Sequence, residues 1–169
     1  MNEMTATQAD ESAPSRAGFV ALIGAPNAGK STLINRLVGT KVSIVSHKVQ
    51  TTRTVVRGIT NRGKTQIIFA DTPGIFQPRR RLDRAMVDAA WGGANNADMV
   101  CLLIDSERGI KGDAERILTR LADVKMPKVL LLNKIDRVPH DQLLALIAKA
   151  NETVAFDHTF LLSALNGDG

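Results

Sequence analysis

From Gly18 onward, short apolar runs alternate with segments whose apolar positions recur at helical spacing. "FVALIG" reads as a buried strand and "KSTLINRLVG" as a helix stopped by Gly39. "TVVRGIT" and "TQIIFAD" read as two strands, and the "NRGK" between them suits a hairpin turn. A helix over roughly Leu82–Gly93 precedes the strand "DMVCLLID". "GDAERILTRLADV" then puts Ile117, Leu118 and Leu121 on one helical face. "KVLLLNK" is a further strand, "HDQLLALIAKA" a further helix, and "TFLLSA" a last strand. Six strands interleaved with helices predict an α/β fold: a mostly parallel six-stranded sheet with helices on both faces. Ligands of such sheets bind beyond the carboxyl ends of the strands.

The opening "MNEMTATQADESAPSRAG" breaks this pattern. It is polar, with neither the basic nor the apolar region of a signal peptide, so residues 1–17 read as a disordered lead-in and 18–169 as one domain. A length of 169 residues suits one core but not comfortably two. Residues 18–169 hold 21 basic and 14 acidic side chains, a net charge of +7, behind an acidic lead-in. Such a surface suits a polyanion such as RNA, or an anionic membrane face, and a plain soluble basic surface accounts for it equally well. The single cysteine excludes an internal disulfide and fits a reducing cytosol; Cys101, inside "DMVCLLIDS", reads as a core residue. No apolar stretch approaches the roughly 18–20 residues of a membrane-spanning helix. The expected location is the cytoplasm, with peripheral contact at the inner face of the membrane as an extension of the charge argument.

Chemistry enters at strand ends. "GAPNAGKST" follows "FVALI" and fits the phosphate-loop pattern of glycine, four residues, glycine, lysine, then serine or threonine. Gly24 and Gly29 let the backbone curl so that amides around Asn27, Ala28, Gly29, Ser31 and Thr32 surround one anion, and the following helix adds its dipole. Lys30 then reaches the β- and γ-phosphates and the Ser31 hydroxyl is a ligand for Mg²⁺. "DTPG" closes "QIIFA": Asp71 holds Mg²⁺ through a water and the Gly74 amide reads the γ-phosphate, so the loop behind it becomes a switch. "NKID" closes "KVLLL". Guanine presents N1–H and a 2-amino group side by side, which the carboxylate of Asp136 accepts together, whereas adenine would leave it unpaired. Asn133 ties this loop to the phosphate loop and the Lys134 stem covers one face of the base. "SAL" (Ser163, Ala164, Leu165) offers backbone amides to guanine O6. In "TKVSIVSHKVQTTRT", Thr52 is the first candidate and Thr51 the second for a hydroxyl that swings onto Mg²⁺.

In this order, "GAPNAGKSTLINRLVG", "VSIVSHKVQTTRT", "DTPGI", "NKID" and "SAL" resemble the Era-like family of translation-associated GTPases over about Gly18–Gly169. The resemblance implies a Ras-like G domain of the phosphate-loop NTPase class, using GTP/GDP and Mg²⁺. It also implies hydrolysis of GTP, binding of 16S ribosomal RNA at its 3′ end, assistance to 30S maturation, and a monomer. The RNA contact of that family lies in a C-terminal KH domain. This chain ends shortly past "SALN", so a C-terminally truncated G domain without KH domain is expected. Ile75 stands where many small GTPases carry a water-orienting glutamine. This resembles the class that uses K⁺, held in part by the phosphate-loop asparagine, here Asn27; the alternative is that Asn27 only stabilises the loop. The run "QPRRRLDR" puts Arg79, Arg80, Arg81 and Arg84 on the second switch, as solvated charge or as an RNA-facing patch. His47, His140 and His158 share no metal-ligand spacing, and Trp91 reads as packing. A slow Mg²⁺-dependent GTPase switch is the first functional reading. A nucleotide-sensing module with negligible hydrolysis is the second. An ATP-dependent enzyme is the third, and it has to dismiss Asp136.

Overall fold

The computed structural model describes residues 16–43, 45 and 55–169. Along the chain these form β1 (Arg16–Ile23), α1 (Lys30–Val38), β2 (Val56–Arg62), β3 (Thr65–Asp71), α2 (Arg81–Asn95), β4 (Met99–Asp105), α3 (Asp113–Leu121), β5 (Lys128–Asn133), α4 (His140–Thr153) and β6 (His158–Leu162). The strands make one six-stranded sheet in the order β2-β3-β1-β4-β5-β6. Only β2 runs antiparallel to its neighbour, through the hairpin it shares with β3. The predicted α/β architecture and its hairpin are therefore both present.

The central strands β4 and β5 are buried on both faces, which is why "MVCLLID" and "KVLLLN" are almost unbroken apolar runs. On one face Leu33 and Ile34 of α1 pack on Leu22, Leu103, Val129 and Leu131, with Cys101 among them. On the other, Val87, Ala90 and Trp91 of α2, Ile117 and Leu121 of α3, and Leu143 and Leu146 of α4 pack on Ile23, Leu102, Ile104 and Leu132. Each such fully buried aliphatic side chain contributes about 1.5–3 kcal/mol. Burial pushes the Cys101 thiol up to about 12, as expected of a core residue. Trp91 is packing, as predicted, with the Arg120 guanidinium 4.4 Å from its ring centroid.

Differences from the sequence reading are confined to element ends. β1 begins at Arg16, two residues before the domain boundary read at Gly18, with Arg16 and Ala17 opposite Thr65 and Gln66. Strand pairing there needs only backbone, and both side chains are exposed, so no apolar signal marks it. The hairpin turn is tighter than "NRGK", because Asn61 and Arg62 still pair and Gly63 takes the turn at φ 57°. Helix α2 starts at Arg81, after Asp83 has accepted from the Arg79 and Arg80 amides at 3.0 and 2.9 Å. It also runs past Gly92 and Gly93 to Asn95, because Gly93 packs against Thr72 rather than ending the helix. Gly39 closes α1 at φ 80°, donating to Asn35 O, as read.

Candidate functional site

The five parallel strands β1, β3, β4, β5 and β6 end on the same edge of the sheet. Their following loops surround a cleft of about 470 Å³, a size suited to a nucleotide. Asn27, Gly29, Lys30, Ser31, Thr32, Gly74, Asn133, Lys134, Asp136, Ser163, Ala164 and Leu165 line it. Gly24, Ala28 and Asp71 stand directly behind them, holding the lining in place. Thr51 and Thr52, with His47, lie outside the described residues. Ile75 is buried, in the core cluster that also holds Val87 of α2, and is not among the residues lining the cleft.

The phosphate end is built from the turn between β1 and α1. Lys30 is buried, and its ammonium donates to Gly24 O at 3.1 Å and Ala25 O at 3.0 Å, a position inside the curl of the loop. Burial lowers its pKa to about 8, with the Asp71 charge pulling the other way. A polyphosphate in the cleft would add counter-charge to this ammonium. The curl demands close approach: a Cβ on Gly24 would lie 2.5 Å from Leu103 O. The loop after β3 rests on the same turn. Ile75 N donates to Gly24 O at 3.0 Å, and a Cβ on Gly74 would meet Pro26 Cα at 2.9 Å.

Behind the loop, Ser31 Oγ donates to Asp71 Oδ2 at 2.7 Å, and Ser43 Oγ donates to the same oxygen at 2.5 Å. Asn35 holds Ser43 there: its Nδ2 donates to Ser43 O, and its Oδ1 accepts from the Val42 and Ser43 amides, all at 2.8 Å. Ser43 and Asn35 escaped the sequence reading, since neither belongs to a nucleotide motif and only folding brings them to Asp71. Ser31 and Asp71 form a hard-oxygen donor pair of the kind Mg²⁺ accepts while keeping waters and phosphate oxygens for its other positions. Among the described residues no group of three or more His, Cys, Asp or Glu gathers for a metal. The donor set therefore fits an ion shared with phosphates rather than a protein cage.

The base end is set by Asn133. Its Nδ2 donates to Ala28 O at 2.8 Å and its Oδ1 accepts from Ala164 N at 2.9 Å, so one buried amide ties the phosphate loop, "NKID" and "SAL" together. Arg36 of α1 supports the "SAL" loop from outside, donating to Ala164 O and Leu165 O at 2.8 and 2.6 Å. Asp136 is the middle residue of a short 3₁₀ turn, Ile135–Arg137, and lines the cleft. Among the described residues two non-glycines have positive φ, Asn27 (63°) and Lys134 (65°), and both line the cleft. Such backbone is sparsely populated and gathers at functional sites. Glu107, Arg108 and Arg137 also line the base end and were not foreseen. The signal available was Asp105, an acid closing an apolar strand on the same sheet edge.

The site's composition agrees with comparison to known proteins. Residues 19–134 match the family model described as "50S ribosome-binding GTPase". GTPase Era of Rhizobium meliloti (strain 1021) is 68% identical, over 98% of this chain and 54% of its own length. GTPase Era of Sinorhizobium medicae (strain WSM419) is 70% identical, over 92% and 50%. Among solved structures, Era in complex with MgGDPNP and nucleotides 1506–1542 of 16S ribosomal RNA superposes with a TM-score of 0.84 at 38% identity, over 90% of this chain and 53% of that one. An Aquifex aeolicus Era variant bound to GDP and AlF₄⁻ gives 0.83 at 38% identity, with the same coverage. The chain thus spans about half the length of the curated relatives it matches. The family match ends at Lys134, so Asp136 and Ser163–Leu165 rest on their place in the cleft. With its glycine-rich turn, "DTPG", "NKID" and "SAL" gathered on one sheet edge, the chain belongs to the 50S ribosome-binding GTPase family, and the relatives named here are Era GTPases.

Proposed function

We propose that this chain binds guanine nucleotides and hydrolyses GTP, as the switch domain of a protein acting in small ribosomal subunit assembly and 16S rRNA maturation. One observation carries the reading. The phosphate loop with Lys30 and the base-reading Asp136 stand at two ends of a single cleft and are bound to each other through Asn133. Lys30 and the loop amides take up charge developing on the β- and γ-phosphate oxygens as water attacks in line. Gly74 reads the γ-phosphate, and Asp136 pairs with the guanine edge. Ser31 and Asp71 would hold Mg²⁺, which when bound neutralises charge on the phosphate oxygens. Thr52, or Thr51, completes that shell in this reading. The Era structure holding MgGDPNP and a 16S rRNA fragment supports carrying nucleotide, metal and RNA over to the whole protein. The RNA contact is placed in a KH domain of the full-length protein. Asp136→Asn should trade guanosine for xanthosine diphosphate, and unchanged preference would overturn the assignment.

Ile75, buried where a water-orienting side chain would otherwise project, supports slow intrinsic turnover. It also motivates two narrower readings. In one, Asn27 holds K⁺ beside the phosphates; equal turnover in matched KCl and NaCl would retire it. In the other, the domain senses nucleotide without hydrolysing it, and single-turnover GTP hydrolysis separates the two. The GTPase relatives favour hydrolysis. Arg79, Arg80, Arg81 and Arg84 are exposed around an equally exposed Leu82. They support contact with a polyanion, ribosomal RNA first and the inner membrane face second. In this reading the protein works in the cytoplasm as a monomer. A salt-steep affinity of the GTP form for immature small subunits, absent from the GDP form, would bear out the RNA contact.

A further inference from the structure

The end of β4 carries a charge that nucleotide recognition by the loops above leaves unexplained. Asp105 closes an otherwise apolar strand, stands in register with Asn133, and is only 5% exposed. Its Oδ2 accepts from the Lys134 ammonium, and Arg108 Nε lies 3.7 Å from the same oxygen. Its Oδ1 accepts from the amides of Glu107 and Arg108 at 3.0 and 3.3 Å, and its carbonyl accepts from Gly109 N at 2.9 Å. Glu107 and Arg108 line the base end of the cleft, and Arg137 reaches Glu107 at 3.3 Å. One buried carboxylate thus organises the 106–109 turn with one oxygen and grips Lys134 with the other.

Lys134 needs such a grip. Its backbone is left-handed at φ 65°, ψ 37°, and its side chain is a flexible stem ending in a strongly hydrated ammonium. A stem free to sample rotamers loses entropy whenever it is laid along a ligand, and anchoring both its ends removes most of that loss before the ligand arrives. Asp105 in turn needs Lys134, because a carboxylate this buried is costly without a cation. We propose that Asp105 is a positioning residue for purine binding. By holding the Lys134 ammonium it stretches the aliphatic stem along one face of the base, and by holding the 106–109 turn it sets the neighbouring wall. The proposal rests on the guanine-nucleotide reading of the cleft.

Asp105→Asn keeps the size and the Oδ1 acceptor but removes the charge that binds Lys134. Affinity for a fluorescent GDP analogue and its dissociation rate are measured for the parent chain, Asp105→Asn, Lys134→Ala and the double variant. Losing a charge-assisted hydrogen bond predicts roughly tenfold weaker binding for Asp105→Asn, mostly as faster dissociation. The double variant should bind no worse than Lys134→Ala, because Asp105 acts through Lys134. Unchanged affinity in Asp105→Asn, or losses that simply add, would overturn the proposal; additive losses would mean that Asp105 only folds the β4 loop. Should Asp105→Asn not fold, Asp105→Glu moves the charge while keeping it, and the same cycle applies with the same reading. Failure of the parent chain itself to bind GDP would instead overturn the guanine-nucleotide reading.

Discussion

Asn133→Ala removes a side chain that joins the phosphate loop, "NKID" and "SAL". It deletes a 2.8 Å bond to Ala28 O and a 2.9 Å bond from Ala164 N. Were water to replace the amide fully, two net bonds of about 1 kcal/mol each would be lost. Ala28 and Ala164 are 1% and 3% exposed, however, so their backbone groups stay dry and each then costs about 1–3 kcal/mol. A destabilisation of about 3 kcal/mol is expected, which a domain of about 5–15 kcal/mol survives. The same variant leaves the phosphate and base loops free to move apart, so GDP affinity should fall too. Urea unfolding followed by circular dichroism, with and without GDP, separates the two effects. GDP at 100 times the parent Kd adds about 2.7 kcal/mol to the parent; roughly 30-fold weaker binding would reduce that gain to about 0.9 kcal/mol. Nucleotide-free stability within about 0.5 kcal/mol of the parent, with the full gain from GDP, would refute the claim that this amide holds the site together.

Three further outcomes are expected. Gly74→Ala puts a methyl 2.9 Å from Pro26 Cα, so it should displace the switch turn from the phosphate loop and abolish the difference between GTP-analogue and GDP protection in hydrogen exchange of residues 72–80 while sparing GDP affinity. Lys30, lowered to about 8 by burial, is partly neutral above that pH in the nucleotide-free chain, and phosphates restore its charge. Calorimetry in buffers of different ionisation enthalpy should show proton uptake on GDP binding rising from near zero at pH 7 towards about one at pH 9. Because the folded value lies below the unfolded one, this lysine also makes nucleotide-free stability rise with pH between about 8 and 10.5. Cys101, buried and pushed up to about 12, should resist maleimide at pH 7 in the folded chain and react only in denaturant; rapid labelling of native protein would contradict the packing of β4 against α1.

The parts of this molecule legible in its sequence are those whose signal is local. "GAPNAGKS" declares its turn because glycine spacing and lysine placement are short-range requirements, and β4 and β5 declare themselves because burial on both faces leaves no polar position. "SAL" became legible only through its place at the end of β6. Ser43 on Asp71, Asp105 on Lys134 and Arg36 on the "SAL" carbonyls are contacts between residues 28, 29 and 128 or more positions apart, and no local pattern announces them. Arg16 and Ala17 were missed for the opposite reason: their strand is made by backbone alone.

Ile75 has a consequence reaching past catalysis. It follows Gly74 directly and is wedged in the same apolar cluster as Val87, Ala90 and Trp91. Any shift of that turn must therefore drag a methyl-bearing lever through a close-packed interior shared with α2. The chain's single tryptophan belongs to the same cluster, so its emission should test, without any label, whether such a shift propagates along α2.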